Sequence, residues 1–329
     1  YGLRDYGTAT WIGGDPNCNH RRDTKVKPEN CNTGHKNHDE MSGVGDAIYK
    51  TVCPKCGAIR QDSQIGLEQT PEDYVKEMVK VFSLVRDCLT DDGTLWLNIG
   101  DSYYNYRSDG NYPKQTVSKT RQDLPQSTPV RGNKLEGLKQ KDLIGIPWML
   151  AFALRADGWY LRQDIIWHKP NPMPESVKDR CTKAHEYIFL LSKSKNYYYD
   201  NEAIKEPAKD WGTRDRTNGK YHNPGSGLAP HSGLTKSYAT KNKRSVWSVT
   251  VKPYKGAHFA TYPEDLVEPC ILAGSEKGDI VLDPFMGSGT TAMVAKKNSR
   301  SYLGCELREE YASLQTARIS TIPNKLPLY

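Results

Sequence analysis

The chain has 329 residues, of which 36% are hydrophobic and 26% charged; this is enough for one large α/β domain with an inserted module, or for two modest domains. The net charge of +7 favours an anionic partner such as nucleic acid, with a basic but merely soluble enzyme as the alternative. With no apolar run of roughly 18 residues, no secretory signal and too few cysteines for a disulfide scaffold, we expect a cytoplasmic protein with reduced thiols.

Residues 1–65 are polar and contain four of the eight cysteines, which predicts a loop-rich insertion. Two short motifs lie within it, Cys18-Asn19-His20 and Cys53-Pro54-Lys55-Cys56. Tetrahedral zinc takes four nitrogen or sulfur ligands, so we predict a structural zinc bound by Cys18, His20, Cys53 and Cys56. Cys31, His35 and His38 could replace one of these ligands, and free thiols in a loop are the alternative.

Residues 66–202 show the pattern of one half of an α/β sheet, interrupted by a stretch at 101–140 that we expect to be a mobile loop. An N-cap at Thr70 and Pro71 begins a helix whose apolar residues follow a helical period. Further along the chain we expect a strand at 94–99, a helix at 144–156, and strands at 160–167 and 186–192.

Residues 203–250 are polar again and rich in cations and aromatic rings, which suits contact with nucleic acid; a solvated basic loop is the alternative. The cations are Lys205, Lys209, Arg214, Arg216, Lys220, Lys236, Lys241, Lys243 and Arg244.

In residues 251–329 the alternation of helices and strands resumes, which predicts a doubly wound, mostly parallel sheet of the Rossmann-like class. A buried strand at 280–282 runs into a glycine turn that opens a helix. Gly287 and Gly289 allow the backbone to approach a ligand, and the helix N-terminus favours a carboxylate or phosphate. Glu306 ends the next strand, where a carboxylate can accept both hydroxyls of a ribose.

The string Asp283–Thr291 resembles the S-adenosylmethionine loop of the DNA amino-methyltransferases, and the segment 258–263 resembles the part that closes over the methionine end of the cofactor. The resemblance implies S-adenosylmethionine as the cofactor. The residues that it assigns to cofactor binding are Phe259, Thr261, Asp283, Pro284, Phe285, Gly287, Ser288, Gly289, Thr290, Thr291 and Glu306. For Thr261 alone, a helix N-cap explains the sequence equally well.

A cofactor loop near the C-terminus resembles the permuted β group of this family, and the resemblance covers nearly the whole chain. It implies double-stranded DNA as the partner and target recognition at 203–250. The stretches 164–171 and 183–191 match as well, and they make Trp167 and Lys169 candidates for a base pocket or a phosphate contact. A core position is the alternative for Trp167.

The family's catalytic loop, an acid, Asn or Ser followed by two prolines and an aromatic residue, is not found in the chain. Asp101-Ser102-Tyr103-Tyr104 is the nearest match, but it has no prolines. The segment Tyr1–Gly7 is similar to the residues directly after Ser-Pro-Pro-Tyr in N4-cytosine relatives, with Tyr1 as the stacking aromatic or its neighbour. We therefore expect an N4-cytosine methyltransferase whose loop and preceding strand are missing here, so that the chain as given is inactive or impaired. The alternatives are an N6-adenine enzyme, a methyltransferase acting on RNA or a small molecule, and a catalytically dead DNA-binding relative.

Overall fold

The structure is a computed structural model that describes residues 9–21, 49, 52–62, 64–104, 135–208, 239–252 and 261–323. The chain divides into two compact units, Tyr1–Tyr74 and Val75–Tyr329. Most of the expected mobile loop at 101–140 and of the expected target-recognition region at 203–250 lies outside the described residues. Among the helices that are described, none is both long and apolar enough to cross a membrane.

The described part of the first unit consists largely of loops and turns. It contains a short antiparallel pair, β1 (Thr10–Ile12) and β2 (Ile59–Gln61), with Trp11 opposite Arg60. Among the described residues before Thr70, the fully buried apolar side chains are small ones, Cys53 and Ala58. Because so little apolar surface is buried, these residues need another source of stability.

The helix predicted after Thr70 is confirmed as α1 (Pro71–Cys88). The Thr70 hydroxyl accepts the Asp73 N–H at 3.1 Å and donates to the Asp73 carboxylate at 2.7 Å, so the N-cap forms as the sequence indicates. The helix buries an apolar stripe that includes Met78, Phe82 and Val85.

The larger sheet of the second unit contains four strands, and the strands and helix predicted between 94 and 192 are confirmed. In chain order the elements of this region are β3 (Thr94–Ile99), α2 (Ile146–Ala156), β4 (Tyr160–His168), β5 (His185–Ser192), β6 (Glu206–Pro207), β7 (Thr240–Lys241) and β8 (Val246–Ser248). The strand order in the sheet is β3-β5-β4-β8, while the short strands β6 and β7 pair with each other.

The direction of β5 makes this sheet mixed. β5 is antiparallel to both β3 and β4, while β8 is parallel to β4. A parallel connection needs a crossover, usually helical, but the link at 169–184 contains no helix. The chain therefore returns as an antiparallel strand, and β3 and β4 run in the same direction on either side of it.

The smaller sheet holds the segment expected to bind the cofactor. Its elements are α3 (Glu264–Gly274), β9 (Ile280–Asp283), α4 (Thr290–Lys297), β10 (Ser301–Gly304) and α5 (Glu310–Ser320). β9 and β10 are parallel, with α4 as the crossover between them. Val294 and Ala295 of α4 pack with Ile271 of α3, which fixes the crossover against its neighbour.

Helix α3 contacts elements of both sheets. Ile271 packs near Val281 of β9, and Gly274 is so close to Trp96 of β3 that a Cβ atom there would lie 2.7 Å from the indole nitrogen. Within the described part of the chain, β9 pairs with β10 alone and β3 with β5 alone. Each of these two strands therefore has one edge without a described partner.

Candidate cofactor site, adjoining cavity and metal cluster

The turn between β9 and α4 has the backbone conformation that the sequence predicts. Gly287 and Gly289 have φ values of 51° and 79°, in the left-handed region that favours glycine. A Cβ atom at Gly289 would also lie 3.2 Å from the Gln315 side chain. The turn leads directly into α4 at Thr290, so the free N–H groups of the helix N-terminus face the end of β9.

The Asp283 carboxylate is the centre of a hydrogen-bond network under this turn. Its Oδ1 accepts the Phe285 N–H at 2.9 Å, and its Oδ2 accepts the hydroxyls of Thr291 at 2.5 Å and Tyr262 at 3.1 Å. Tyr262 and Thr291 are themselves 2.5 Å apart. Burial, and secondly the Asp283 charge, raise the pKa of Tyr262, so its hydroxyl stays protonated and able to donate.

The Glu306 carboxylate accepts hydrogen bonds from two backbone N–H groups of the protein. One of its carboxylate oxygens accepts the Gly287 N–H at 2.8 Å and the other accepts the Arg308 N–H at 2.9 Å. The carboxylate thus holds the glycine turn to the end of β10. Its expected contact with ribose hydroxyls would have to use the remaining lone pairs.

The other expected cofactor residues lie at the same turn. Ser288, Thr290 and Thr291 are buried, and Pro284 is half-buried. Phe285 is 48% exposed and meets Phe82 of α1 edge-on at 6.3 Å, so one ring face is available to a ligand. Thr261 is half-buried beside Tyr262. Phe259, like the candidate Tyr1, lies outside the described residues.

Asp101 forms the N-terminal cap of helix α2. Its carboxylate accepts the N–H groups of Gly145 at 3.0 Å and Ile146 at 3.2 Å, and that of Ser102 at 2.9 Å. A carboxylate at a helix N-terminus satisfies free donors and interacts favourably with the helix dipole. The best sequence match to a catalytic acid therefore has a structural role at this position.

Trp167 is a buried core residue, which the sequence allowed as the alternative to a base pocket or a phosphate contact. It is 3% exposed, packs with Ile165 and Trp247, and donates its indole N–H to the Val249 carbonyl at 2.8 Å. The Lys169 ammonium lies 4.2 Å from the centre of its ring.

A cavity of about 260 Å³ opens at the carboxyl ends of β3 and β4. Lys169 lines it and forms an ion pair with Glu186, whose other oxygen accepts the Asn98 amide at 3.3 Å. Lys183 also lines the cavity; it donates to the Asp101 carbonyl at 2.6 Å, and burial lowers its pKa. The pattern at 164–171 pointed to this place through Lys169, but the partner Glu186 was not predicted from sequence.

The four predicted metal ligands come together in the first unit. The ligand atoms of Cys18, His20, Cys53 and Cys56 all lie within 4.8 Å of one another. The Cys18 and Cys53 sulfurs are 3.7 Å apart, and the Cys56 sulfur is 3.5 Å from His20 Nδ1. In a tetrahedral zinc site, Zn–S bonds of about 2.3 Å place two sulfurs about 3.8 Å apart, and a Zn–N bond of about 2.0 Å places sulfur and nitrogen about 3.5 Å apart. The two distances given match this geometry, and the four ligand types are those that zinc prefers.

Neighbouring residues hold the four ligands in place. Trp11 stacks on the His20 ring at 4.2 Å with an interplanar angle of 14°. The turn that carries Cys53 and Cys56 is closed by two backbone hydrogen bonds of 2.8 Å, from Gly57 N to Cys53 O and from Cys53 N to Ala58 O. The hydrogen bond from the Ala58 N–H holds the pKa of the Cys56 thiol below its ordinary value.

Part of the basic region at 203–250 can be placed. Glu206 pairs with Arg244 at 2.6 Å and with Lys241 at 3.6 Å, and Lys205 pairs with Glu202 at 2.6 Å. These cations are therefore partly neutralised within the protein. The others, apart from Lys243, lie outside the described residues: Lys209, Arg214, Arg216, Lys220 and Lys236.

A glycine turn between a parallel strand and a helix, together with a sheet that has one reversed strand, is the arrangement expected of a Rossmann-like methyltransferase fold. The model of the DNA methylase family matches residues 31–317, and the chain belongs to this family. It is therefore a DNA amino-methyltransferase.

Individual relatives agree with this assignment. The chain is 49% identical over 290 residues to the type II methyltransferase M.SmaI of Serratia marcescens, covering 85% of this chain and 87% of that protein. It is 46% identical over 258 residues to M.Cfr9I of Citrobacter freundii, covering 78% and 75% respectively. The solved PvuII cytosine-N4-specific DNA methyltransferase has the same fold, with a TM-score of 0.52 and 16% identity over 81% of this chain and 77% of that one.

Proposed function

We propose that the protein transfers a methyl group from S-adenosylmethionine to N4 of cytosine in double-stranded DNA, with N6 of adenine as the second candidate. The strand-to-helix turn Asp283–Thr291 carries this proposal. The preference for cytosine rests on the resemblance of Tyr1–Gly7 to the segment directly after Ser-Pro-Pro-Tyr in N4-cytosine relatives.

The residues of the turn fit the cofactor's amino-acid end. The free N–H groups at the start of α4 and the buried hydroxyls of Ser288 and Thr290 suit its carboxylate. The Asp283 carboxylate suits its ammonium group, and Phe285 offers an apolar ring face. When bound, the cofactor supplies an activated methyl group on a sulfonium. The protein's part is to hold that group in line with an extruded base.

We assign the cavity beside Lys169 to the extruded base. The two ammonium groups of its lining, Lys169 and Lys183, already have partners in Glu186 and in the Asp101 carbonyl. The lining therefore has no unpaired cation to favour a phosphate. A base is neutral and presents both donors and acceptors, which a Lys–Glu pair can match. At about 260 Å³ the cavity is near the lower end of ligand clefts, about 300 Å³, which favours a group as small as one base.

Methyl transfer from labelled S-adenosylmethionine to duplex DNA, followed by nucleoside analysis, tests the proposal. We expect labelled N4-methylcytosine; labelled N6-methyladenine would move the assignment to the second candidate. Methylated RNA with unmodified DNA would reject both. For the cavity, Glu186→Gln should slow methyl transfer about tenfold or more, while the matched change of the exposed Glu276 to Gln should not.

We also propose that Cys18, His20, Cys53 and Cys56 bind one structural zinc ion. The ligand spacing and the few side chains buried among the described residues of the first unit support this proposal. A bound metal would add stability to this region. Double-stranded DNA as the partner, with contacts from the region 203–250, completes the proposed assignment.

Elemental analysis of purified protein tests the zinc site. We expect about one equivalent of zinc, lost in Cys53→Ala and Cys56→Ala. Cys88→Ala is the matched control, because Cys88 is an exposed thiol at the end of α1. Replacement of zinc by cobalt should give the absorption bands of a tetrahedral thiolate site. Unchanged metal content in the Cys53 and Cys56 variants would remove the proposal.

A further inference from the structure

Two side chains of helix α5, three residues apart, donate hydrogen bonds to the turn Asp283–Thr291, which we call the cofactor turn. Gln315 Nε2 donates to the Gly287 carbonyl at 2.8 Å. Arg318 Nη1 lies 3.0 Å from the Ser288 carbonyl, 2.7 Å from the Ser288 hydroxyl and 3.1 Å from the Thr290 hydroxyl. Residues at this spacing share one face of a helix, so α5 presents an amide and a guanidinium to the same turn.

The contacts of Arg318 decide which way two hydroxyl groups point. A guanidinium can only donate, so the oxygens of Ser288 and Thr290 act as acceptors toward it. The protons of both hydroxyls are then directed away from Arg318 and available to another acceptor. Thr291 differs, because its proton goes to the Asp283 carboxylate.

The position of these hydroxyls gives the orientation a chemical meaning. Thr290 is the first residue of α4, where backbone N–H groups have no partner within the helix and the dipole is positive. A carboxylate could bind here to the hydroxyls of Ser288 and Thr290 and to the N–H groups at the start of α4. The positive charge of the neighbouring Arg318 guanidinium would strengthen that binding.

We propose that Arg318 is a positioning residue for the carboxylate of the cofactor's amino-acid end. It acts through Ser288 and Thr290, which it orients as donors, and through its charge. This inference rests on the proposed use of S-adenosylmethionine and deepens it. No sequence motif indicated this role, because Arg318 lies 27 residues beyond Thr291 in a helix outside the loop motif.

A purely structural role for Arg318 predicts a different pattern of binding. Helix α5 has other attachments to the same region, including Ile319, which packs with Met286 and Ala292, and Lys296 Nζ, which donates to the Ile319 carbonyl at 3.3 Å. If Arg318 only fastened the helix, its loss would weaken every ligand of the turn equally. If it positions carboxylate donors, only ligands with a carboxylate suffer.

Calorimetry with two nucleosides separates these cases. S-adenosylhomocysteine has the amino-acid carboxylate, and 5′-methylthioadenosine has the same adenosine and sulfur without it. In Arg318→Met we expect affinity for S-adenosylhomocysteine to fall roughly ten- to a hundredfold, and affinity for 5′-methylthioadenosine to stay within about twofold. Arg308→Met is the matched control, since it removes an equal charge near the start of α5 and should change neither affinity.

Arg318→Lys keeps the charge and is the second variant if Arg318→Met unfolds. We expect it to recover part of the affinity for S-adenosylhomocysteine, because lysine keeps the positive charge but lacks the planar, fixed donor geometry of the guanidinium. Equal losses for both nucleosides, or no loss for either, would overturn the inference while leaving the proposed function intact. Failure of the wild-type protein to bind S-adenosylhomocysteine would overturn both.

Discussion

Replacement of Tyr262 by phenylalanine removes one hydroxyl from the network beneath the cofactor turn. That hydroxyl lies 3.1 Å from Asp283 Oδ2 and 2.5 Å from Thr291 Oγ1. A hydrogen bond to a charged group contributes about 1.5–3 kcal/mol, and the carboxylate keeps its donors from Phe285 and Thr291. We therefore expect a loss of about 2 kcal/mol in the free energy of unfolding, or about 4–8 °C in Tm for a unit of this size.

Thermal and urea unfolding measure this loss, and calorimetry with S-adenosylhomocysteine measures its effect on binding. The affinity should fall as well, because Asp283 loses one of the donors that fix its orientation. Tyr302→Phe is the matched control, since Tyr302 is exposed on β10 and its hydroxyl should contribute less than about 0.5 kcal/mol. A Tyr262→Phe protein with wild-type Tm and wild-type affinity would refute the assigned role of this network.

Further predictions concern the metal cluster, helix α2 and alkaline pH. Gly14→Ala should lower zinc content, because its Cβ would lie 2.8 Å from the Cys56 sulfur, whereas Gly13→Ala, with similar φ and nothing within 4 Å, should keep the metal; equal zinc content in both would contradict this. Asp101→Ala should lower the free energy of unfolding by about 0.5–2 kcal/mol in urea titrations, because α2 loses its cap; lost methyl transfer at unchanged stability would instead make Asp101 catalytic. Burial raises the pKa of Tyr74 to about 12, above its unfolded value of about 10. Its contribution to stability is therefore complete below pH 10 and lost as pH rises toward 12, and Tyr74→Phe should flatten that decline.

The sequence was sufficient to predict most elements of the second unit. Helical periodicity and the cap at Thr70 located α1, and short apolar runs located the strands, because these signals are local in the chain. The Cys-x-His and Cys-x-x-Cys motifs predicted four ligands that the structure brings within 4.8 Å of one another. The reversed direction of β5 was not predicted, since no local pattern indicates that the link at 169–184 contains no crossover helix.

The residues that sequence reasoning missed act across the fold. Tyr262 lies in the segment before α3, and it contacts Asp283, 21 residues further along the chain. Arg318 lies in α5, and it contacts Thr290, 28 residues earlier in the chain. Such contacts depend on how helices pack against the turn, and no local pattern reports them. For Asp101, the sequence suggested catalysis because of its place after a buried strand, and the cap that its carboxylate forms on α2 depends on a contact about 44 residues along the chain.

The most direct test of the cofactor site is equilibrium binding of S-adenosylmethionine to the full-length protein and to Asp283→Ala. We expect saturable binding at one site, weakened at least about tenfold when the Asp283 carboxylate is removed. Binding of equal strength in the two proteins would place the cofactor elsewhere. Complete absence of binding in the wild type would contradict the assignment of the turn Asp283–Thr291 to S-adenosylmethionine.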